Sequence, residues 1–238
     1  VDPLAPEEMD PVNQDGKRLE ATFSPNGTTM VLVRRDSPDS GTDMYVSHWN
    51  GRVWSRPESL TALNSPISND RGPAFSRDGK YLYFASDREG GEGGYDLYIA
   101  RKDGDEWSAP EPLGEAINTA DDELGPALSA EDKSLFFSSD RAGKIQDIFE
   151  ARVIFEPASE ETPSPDPSKP EEPPPLPQFF AAEPVSDLNS KGDDVQAALT
   201  SRGDHVFLAS DRDKNKKSRF SLYLSRVVDD RELPPEKV

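Results

Sequence analysis

Three Asp-Arg pairs are the first residues in this sequence whose types and spacing could do chemistry: Asp87-Arg88, Asp140-Arg141 and Asp211-Arg212. Each follows a short apolar run (YLYFAS, LFFSS, VFLAS), and the pairs lie 53 and 71 residues apart. Arg35-Asp36 stands at the corresponding place earlier in the chain, in reverse order. A recurring carboxylate and guanidinium could form a charged ring that meets an ionic ligand. The same groups also have an architectural use, in which Asp caps turn amides and Arg pairs with a carboxylate on a neighbouring repeat. A site made equally by every repeat is more often architecture than function, so this second reading carries more weight. The six residues are kept as candidate binding residues beside it. Trp49 joins them as an aromatic outside the repeat pattern.

Other chemistry is sparse. Trp54 and Trp107, with Pro57 and Pro110, could stack a sugar, but their equal repeat positions suit packing on an outer strand. His48 and His205 are the only histidines, occupy unlike positions, and have no cysteine beside them, so no metal site is expected. Asp103-Gly104-Asp105-Glu106 imitates the start of a calcium loop, yet its twelfth position is Gly114 rather than Glu. No G-x-S-x-G elbow is present. Gly90 to Gly94 links two strands rather than opening a helix over a phosphate. Ser76-Arg77-Asp78-Gly79 lacks the residue between Asp and Gly that a sialidase Asp box needs. Among 46 acidic residues no pair stands apart from the repeat as a glycosidase pair should. The expectation is a protein that is not an enzyme and holds no cofactor.

The elements that must position these residues are clearest over 72–113. Gly72 to Ser76 opens a strand, and Asp78-Gly79 signals a hairpin. Tyr81 to Ser86 is dense in apolar groups, as suits a strand covered on both faces. Asp87 to Gly94 is a turn. Tyr95 to Arg101 alternates as a third strand. Lys102 to Asp105 is a second hairpin. Trp107 to Leu113 is an edge strand that tolerates its prolines. Such a meander has two apolar faces and must stack on copies of itself, which is how propeller blades work.

The copies are present. ATFSPNGTTMVLVRRD, PAFSRDGKYLYFASDR, GPALSAEDKSLFFSSDR and AALTSRGDHVFLASDR share one template, with Phe23, Phe75, Leu128 and Leu199 in register. Asp132 replaces the turn glycine in the third copy, and Ser221 replaces Asp before the third strand of the fourth. Asn13, Asn118 and Asn189 each precede the template apolar residue by ten positions. The fold class is all-β: a β-propeller of four-stranded antiparallel blades, either a complete four-bladed ring or part of a larger, six-bladed type. The expected division is a linker over 1–20, then blades over 21–71, 72–124, 125–195 and 196–238. The third blade carries an insertion over 157–177 with nine prolines, five acidic residues and one lysine, a composition expected to form an extended excursion. Phe179 or Phe180 takes up the tryptophan role there.

F-S-x-D-G-K-x-L-Y-F-x-S-D-R-x-G-G-x-G-G-x-D-L-Y at 75–98 resembles the WD40-like (TolB-type) β-propeller repeat. Ile117 to Glu123 and Trp107 to Leu113 are similar to the version found in bacterial envelope proteins, some of which carry OmpA-like domains. The resemblance covers about residues 13–238. It implies a propeller used for protein–protein contact in the periplasm or cell envelope, usually with six blades. Four repeats are visible here, and peptidoglycan binding does not carry over because no OmpA-like domain is present.

The chain has 238 residues, 33% hydrophobic, with a net charge of −19. That charge repels nucleic acid phosphates and anionic lipid at long range. No run of 18 apolar residues is present, so no membrane span is expected. A start at Val1 points to a mature or excised segment of something longer. The function expected is a non-catalytic module that binds a protein or peptide, with glycan or small-ligand binding as the alternative and a carbohydrate-active hydrolase behind it.

Overall fold

The computed structural model describes residues 17–37, 39–143, 145–155, 175–199, 205–212, 221–228, 231–232 and 235–237. Of the linker expected over 1–20, residues 1–16, including Asn13, lie outside them, as does the 157–174 part of the proline insertion, while residues 17–20 belong to the first strand rather than to a linker. Every regular element described is a strand.

Blade one contains β1 (Lys17–Phe23), β2 (Thr29–Arg35), β3 (Asp43–His48) and β4 (Glu58–Ser59). Blade two contains β5 (Asp70–Phe75), β6 (Tyr81–Ser86), β7 (Asp96–Asp103), β8 (Glu106–Trp107) and β9 (Glu111–Pro112). Blade three contains β10 (Glu123–Leu128), β11 (Ser134–Ser139), β12 (Asp147–Ile154), β13 (Gln178–Phe179) and β14 (Glu183–Pro184). Blade four contains β15 (Asp194–Leu199), β16 (His205–Ser210), β17 (Ser221–Val228), β18 (Arg231–Glu232) and β19 (Glu236–Lys237). All four sheets are antiparallel meanders in chain order. The first strands β1, β5, β10 and β15 pack side by side in that order, giving a four-bladed β-propeller.

The outer strand is not the single strand expected over Trp107 to Leu113. It is broken into β8 and β9, which both pair with β7. Pro110 and Pro112 supply no N–H, so the ladder is interrupted. The beginning of the third strand is bridged by an asparagine side chain. Asn118 accepts from Leu97 N at 2.9 Å and donates to Leu97 O at 3.0 Å. Asn64 does the same for Met44, and Asn189 for Ile148.

Packing follows the alternation of each second strand. On β6, Leu82 and Phe84 face blade one, where they meet Val31, Val33, Met44, Leu60 and Leu63. Tyr81, Tyr83 and Ala85 face blade three and meet Leu135, Phe137 and Phe149. Blade three meets blade four through Phe136, Ile148, Val206 and Leu208. Each junction removes large side chains from water, at roughly 1.5–3 kcal/mol per fully buried apolar residue. Among the described residues no buried cluster joins blade four to blade one. Leu222, at the position of the fully buried Leu97 and Ile148, is 50% exposed.

The first strands approach closely at a shared bulge, where Gly72 and Gly125 have φ of 58° and 59°. A Cβ on Gly72 would lie at ordinary contact distance, 3.4 Å, from the Gly125 backbone, so it is the positive φ that favours glycine here.

Candidate binding site

The Asp-Arg pairs sit where the second strand leaves each of blades two to four. Asp87 accepts from Asn69 N at 2.6 Å and Asn69 Nδ2 at 2.7 Å. Asp140 accepts from Asp122 N at 3.0 Å, and Asp211 from Asp193 N at 2.8 Å. Arg88 pairs with Asp70 at 2.7 Å, donates to Leu63 O at 2.7 Å, and lies over the rings of Phe84 and Tyr98. Arg141 pairs with Glu123 at 3.0 Å, donates to Ile117 O, and lies over Phe137 and Phe149. Arg212 pairs with Asp194 at 2.8 Å, donates to Leu188 O at 2.6 Å, and lies over Tyr223.

The partner carboxylates Asp70, Glu123 and Asp194 are fully buried. They lie on the first strand of the same blade, not on a neighbouring repeat as the sequence suggested. The neighbouring blade contributes only a carbonyl, because the incoming connection passes over the guanidinium. Burial pushes the Glu123 carboxyl up, opposed by bonds from Thr119 and Ser139 and by Arg141. In blade one the exchange partner of Asp36 is Arg34, not Arg35. Arg34 bonds Asp36 and lies 3.7 Å from the centre of the Tyr45 ring, while Tyr45 OH donates to Asp36 at 2.9 Å.

Trp49 is not outside the repeat. It pairs with Trp54 as Lys102 pairs with Trp107, so it occupies the lysine's place. Its ring lies 5.6 Å from Trp54, which lies 5.7 Å from Phe23.

A larger feature separates blades one and two. A cleft of about 870 Å³ opens there between three turns. One runs from Ser24 to Thr29, the second covers Asp78 to Lys80, and the third is the tight β7–β8 turn. Val31, Val46 and Leu60 form an apolar floor. Phe75 and Trp107, with ring centres 6.2 Å apart, form a wall. The rim carries His48, Lys80 and Lys102 against Asp78, Asp103 and Asp105. The His48 ring meets the Thr29 hydroxyl at 3.4 Å.

The same repeat positions between blades two and three are filled. Tyr81 and Tyr83 stand where Thr29 and Val31 stand in blade one. Tyr83 meets Phe179 edge-on at 6.3 Å, and Tyr81 meets Phe155 at 5.7 Å. Tyr81 OH donates to Pro175 O at 2.8 Å, and Leu176 packs on the same cluster. Across the turns, Asp132 accepts from Arg77 N at 2.8 Å, and the Arg77 guanidinium donates to Ala130 O at 2.7 Å. Asp132 therefore does more than replace a glycine; at φ 54° it ties blade two to blade three. Burial pushes its carboxyl up, and the Arg77 N–H works against that.

The open cleft thus has two causes, small residues on the face of blade one and a short turn on blade two. Its geometry can bury an extended segment: an apolar floor, an aromatic wall, and donors and acceptors at the rim. Of its residues the sequence weighed Trp107 for sugar stacking, His48 for metal, Asp78-Gly79 as an Asp box and Asp103 to Asp105 as a calcium loop, and expected a site from none of them. The signal that could have found it is the contrast of Thr29 and Val31 with Tyr81 and Tyr83 in one alignment of the copies.

Comparison of the sequence with protein-family models finds no match, and comparison with curated proteins finds none. Comparison with solved structures finds many. A putative TolB from Agrobacterium tumefaciens is similar with a TM-score of 0.58 and 18% identity, over 94% of this chain and 67% of that one. TolB from Acinetobacter baumannii is similar with a TM-score of 0.53 and 12% identity, over 92% of this chain and 44% of that one. A puromycin-hydrolyzing peptidase from Mycobacterium tuberculosis gives 0.51 and 15%, over 93% of this chain and 29% of that one. This chain therefore spans less than half the length of the Acinetobacter protein. At these identities the likeness shows the fold: the chain is built as a TolB-type β-propeller of four blades.

Proposed function

We propose that the chain is a non-catalytic interaction module of the bacterial cell envelope and that it takes a segment of a protein partner in the cleft between blades one and two. The observation that carries this reading is the contrast between the two clefts. One inter-blade cleft is filled by the chain itself, and its counterpart stays open above part-buried Val46, Phe75 and Trp107. The likeness to TolB-named structures supports protein contact and an envelope setting, and the peptidase among the similar structures supplies the competing reading. The cleft favours binding over turnover because its histidine faces only a threonine hydroxyl at long range.

The test compares the chain with a filled variant, Thr29→Tyr/Val31→Tyr, on immobilised supports loaded with bacterial envelope extract. Proteins retained by the chain and released by the variant are the expected result. Equal retention by both, or hydrolysis of peptides or glycosides by the purified chain that the variant lacks, would contradict it. Phe75 and Trp107 also suit a sugar ring, so retention of soluble oligosaccharides in place of proteins would favour glycan binding.

A further inference from the structure

We propose that the occupant of the open cleft is an extended segment bearing proline, an aliphatic residue and an aromatic ring, the chemistry of Pro175-Leu176-Pro177-Gln178-Phe179, which closes the cleft between blades two and three. This rests on the reading of the cleft as a protein-binding site and adds what the site selects.

The chain supplies its own template. At the filled junction three things occupy the space that is empty at the open one: the rings of Tyr81 and Tyr83, the side chain of Leu176, and the backbone of Pro175. Leu176 is half-buried against a core cluster and Pro177 is buried, so this strip is part of the packing. At the open junction Val31 is buried beneath its neighbours, Val46 is left only partly covered, and Trp107 stands in the place of Phe179.

Because Trp107 already fills the place of Phe179, the segment's ring must replace the missing tyrosine rings beside Val46, with one aliphatic side chain beside Trp107. Proline fits the rest. It has no N–H to leave unpaired, lies flat on an aromatic ring, and is already extended, so little chain entropy is lost on docking. The rim offers Lys80 and Lys102 beside Asp78, Asp103 and Asp105, so neither sign of charge is selected strongly.

The experiment is calorimetric titration of the full chain with the capped peptide PLPQF and with PDPQF, in which aspartate replaces leucine. Saturable binding of PLPQF, weakened about tenfold or more in PDPQF and in Thr29→Tyr/Val31→Tyr, is expected; a tenfold loss corresponds to about 1.4 kcal/mol. A thermal melt checks that the filled variant folds. A photoreactive phenylalanine at the last peptide position gives a second readout on the unmodified chain, and it should cross-link to β2, β3 or the Lys102–Trp107 turn. Equal binding to chain and filled variant, or cross-links confined to other blades, overturns the proposal. If the peptide fails to bind while the filled variant still releases envelope proteins, the peptide chemistry is wrong and the cleft reading stands. If both fail, the cleft reading falls as well.

Discussion

The cleft between blades one and two and the cleft between blades two and three use the same positions of the same repeat. One is open over about 870 Å³, and the other holds Leu176, Phe179 and two tyrosine rings. The frame beneath them is held alike. In both, an asparagine, Asn64 or Asn118, bridges the start of the third strand, and an arginine on a buried carboxylate fixes the exit of the second strand. The difference lies in side-chain size on one face and turn length on the next blade. In a repeat protein each junction is nearly independent of the others. Two residues and one loop can therefore empty a junction without unfolding the array.

The comparison can be broken or sharpened at several points. The largest effect is expected in the shared frame. Arg88→Ala leaves Asp70 buried without its partner and should cost about 3–5 kcal/mol; Arg141→Ala should cost a similar amount through Glu123. Urea denaturation of both variants measures this, and a loss confined to one of them would show that the two junctions are not framed alike. Next is unplugging. Leu176→Ala removes a packed side chain from the filled junction and should cost about 2–4 kcal/mol, while Lys102→Ala at the open one should stay within about 0.5 kcal/mol. Filling the open cleft by Thr29→Tyr/Val31→Tyr should cost no more than about 3 kcal/mol, because the ring at 29 enters open space while the ring at buried position 31 must turn out into the cleft. A loss well beyond that would mean the cleft has a second structural role.

Asp132→Gly should cost about 1 kcal/mol, as the lost bond to Arg77 N is partly offset by relief at a positive φ. The smallest effect is with pH. Asp43, Glu123, Asp132 and Asp147 all have carboxyls pushed up by burial. The folded chain then binds more protons than the unfolded one across the window just above their ordinary values. Stability present at the acid end of that window is lost as pH rises through it, so the melting temperature should be a few degrees higher near pH ~5 than at pH ~7. Relief of the net charge of −19 acts in the same direction.

The repeat, the hairpins and the covered second strand were legible in the sequence because periodicity reports them directly. Tyr81 to Ser86 reads as a strand covered on both faces, and all six residues are buried. The broken outer strand was not legible. Pro110 and Pro112 read as tolerated on one edge, but the asparagine that bridges the third strand lies 21 residues along the chain from the residue it bonds, Leu97. Asn64 escaped notice for a related reason: it falls eleven residues before Phe75, one more than its counterparts. The arginine partners were assigned to a neighbouring repeat because spacing alone does not say which first strand a side chain reaches. The cleft itself is a difference between copies, and alignment on what repeats hides what does not. Thr29 and Val31 look like ordinary strand residues until Tyr81 and Tyr83 are set beside them.

The central claim is that one junction is open at the position where the other is sealed, and that the open one receives a ligand. The chain has no cysteine, so single thiols can be placed at will. Val46→Cys and Ile99→Cys put a thiol at the same repeat position on the two floors. With a small alkylating reagent, the thiol at 46 should react on the order of 100-fold faster than the thiol at 99, which must wait for local opening. Addition of the PLPQF peptide should slow only the former. Equal labelling rates at 46 and 99, or a rate at 46 that the peptide does not change, would contradict the account.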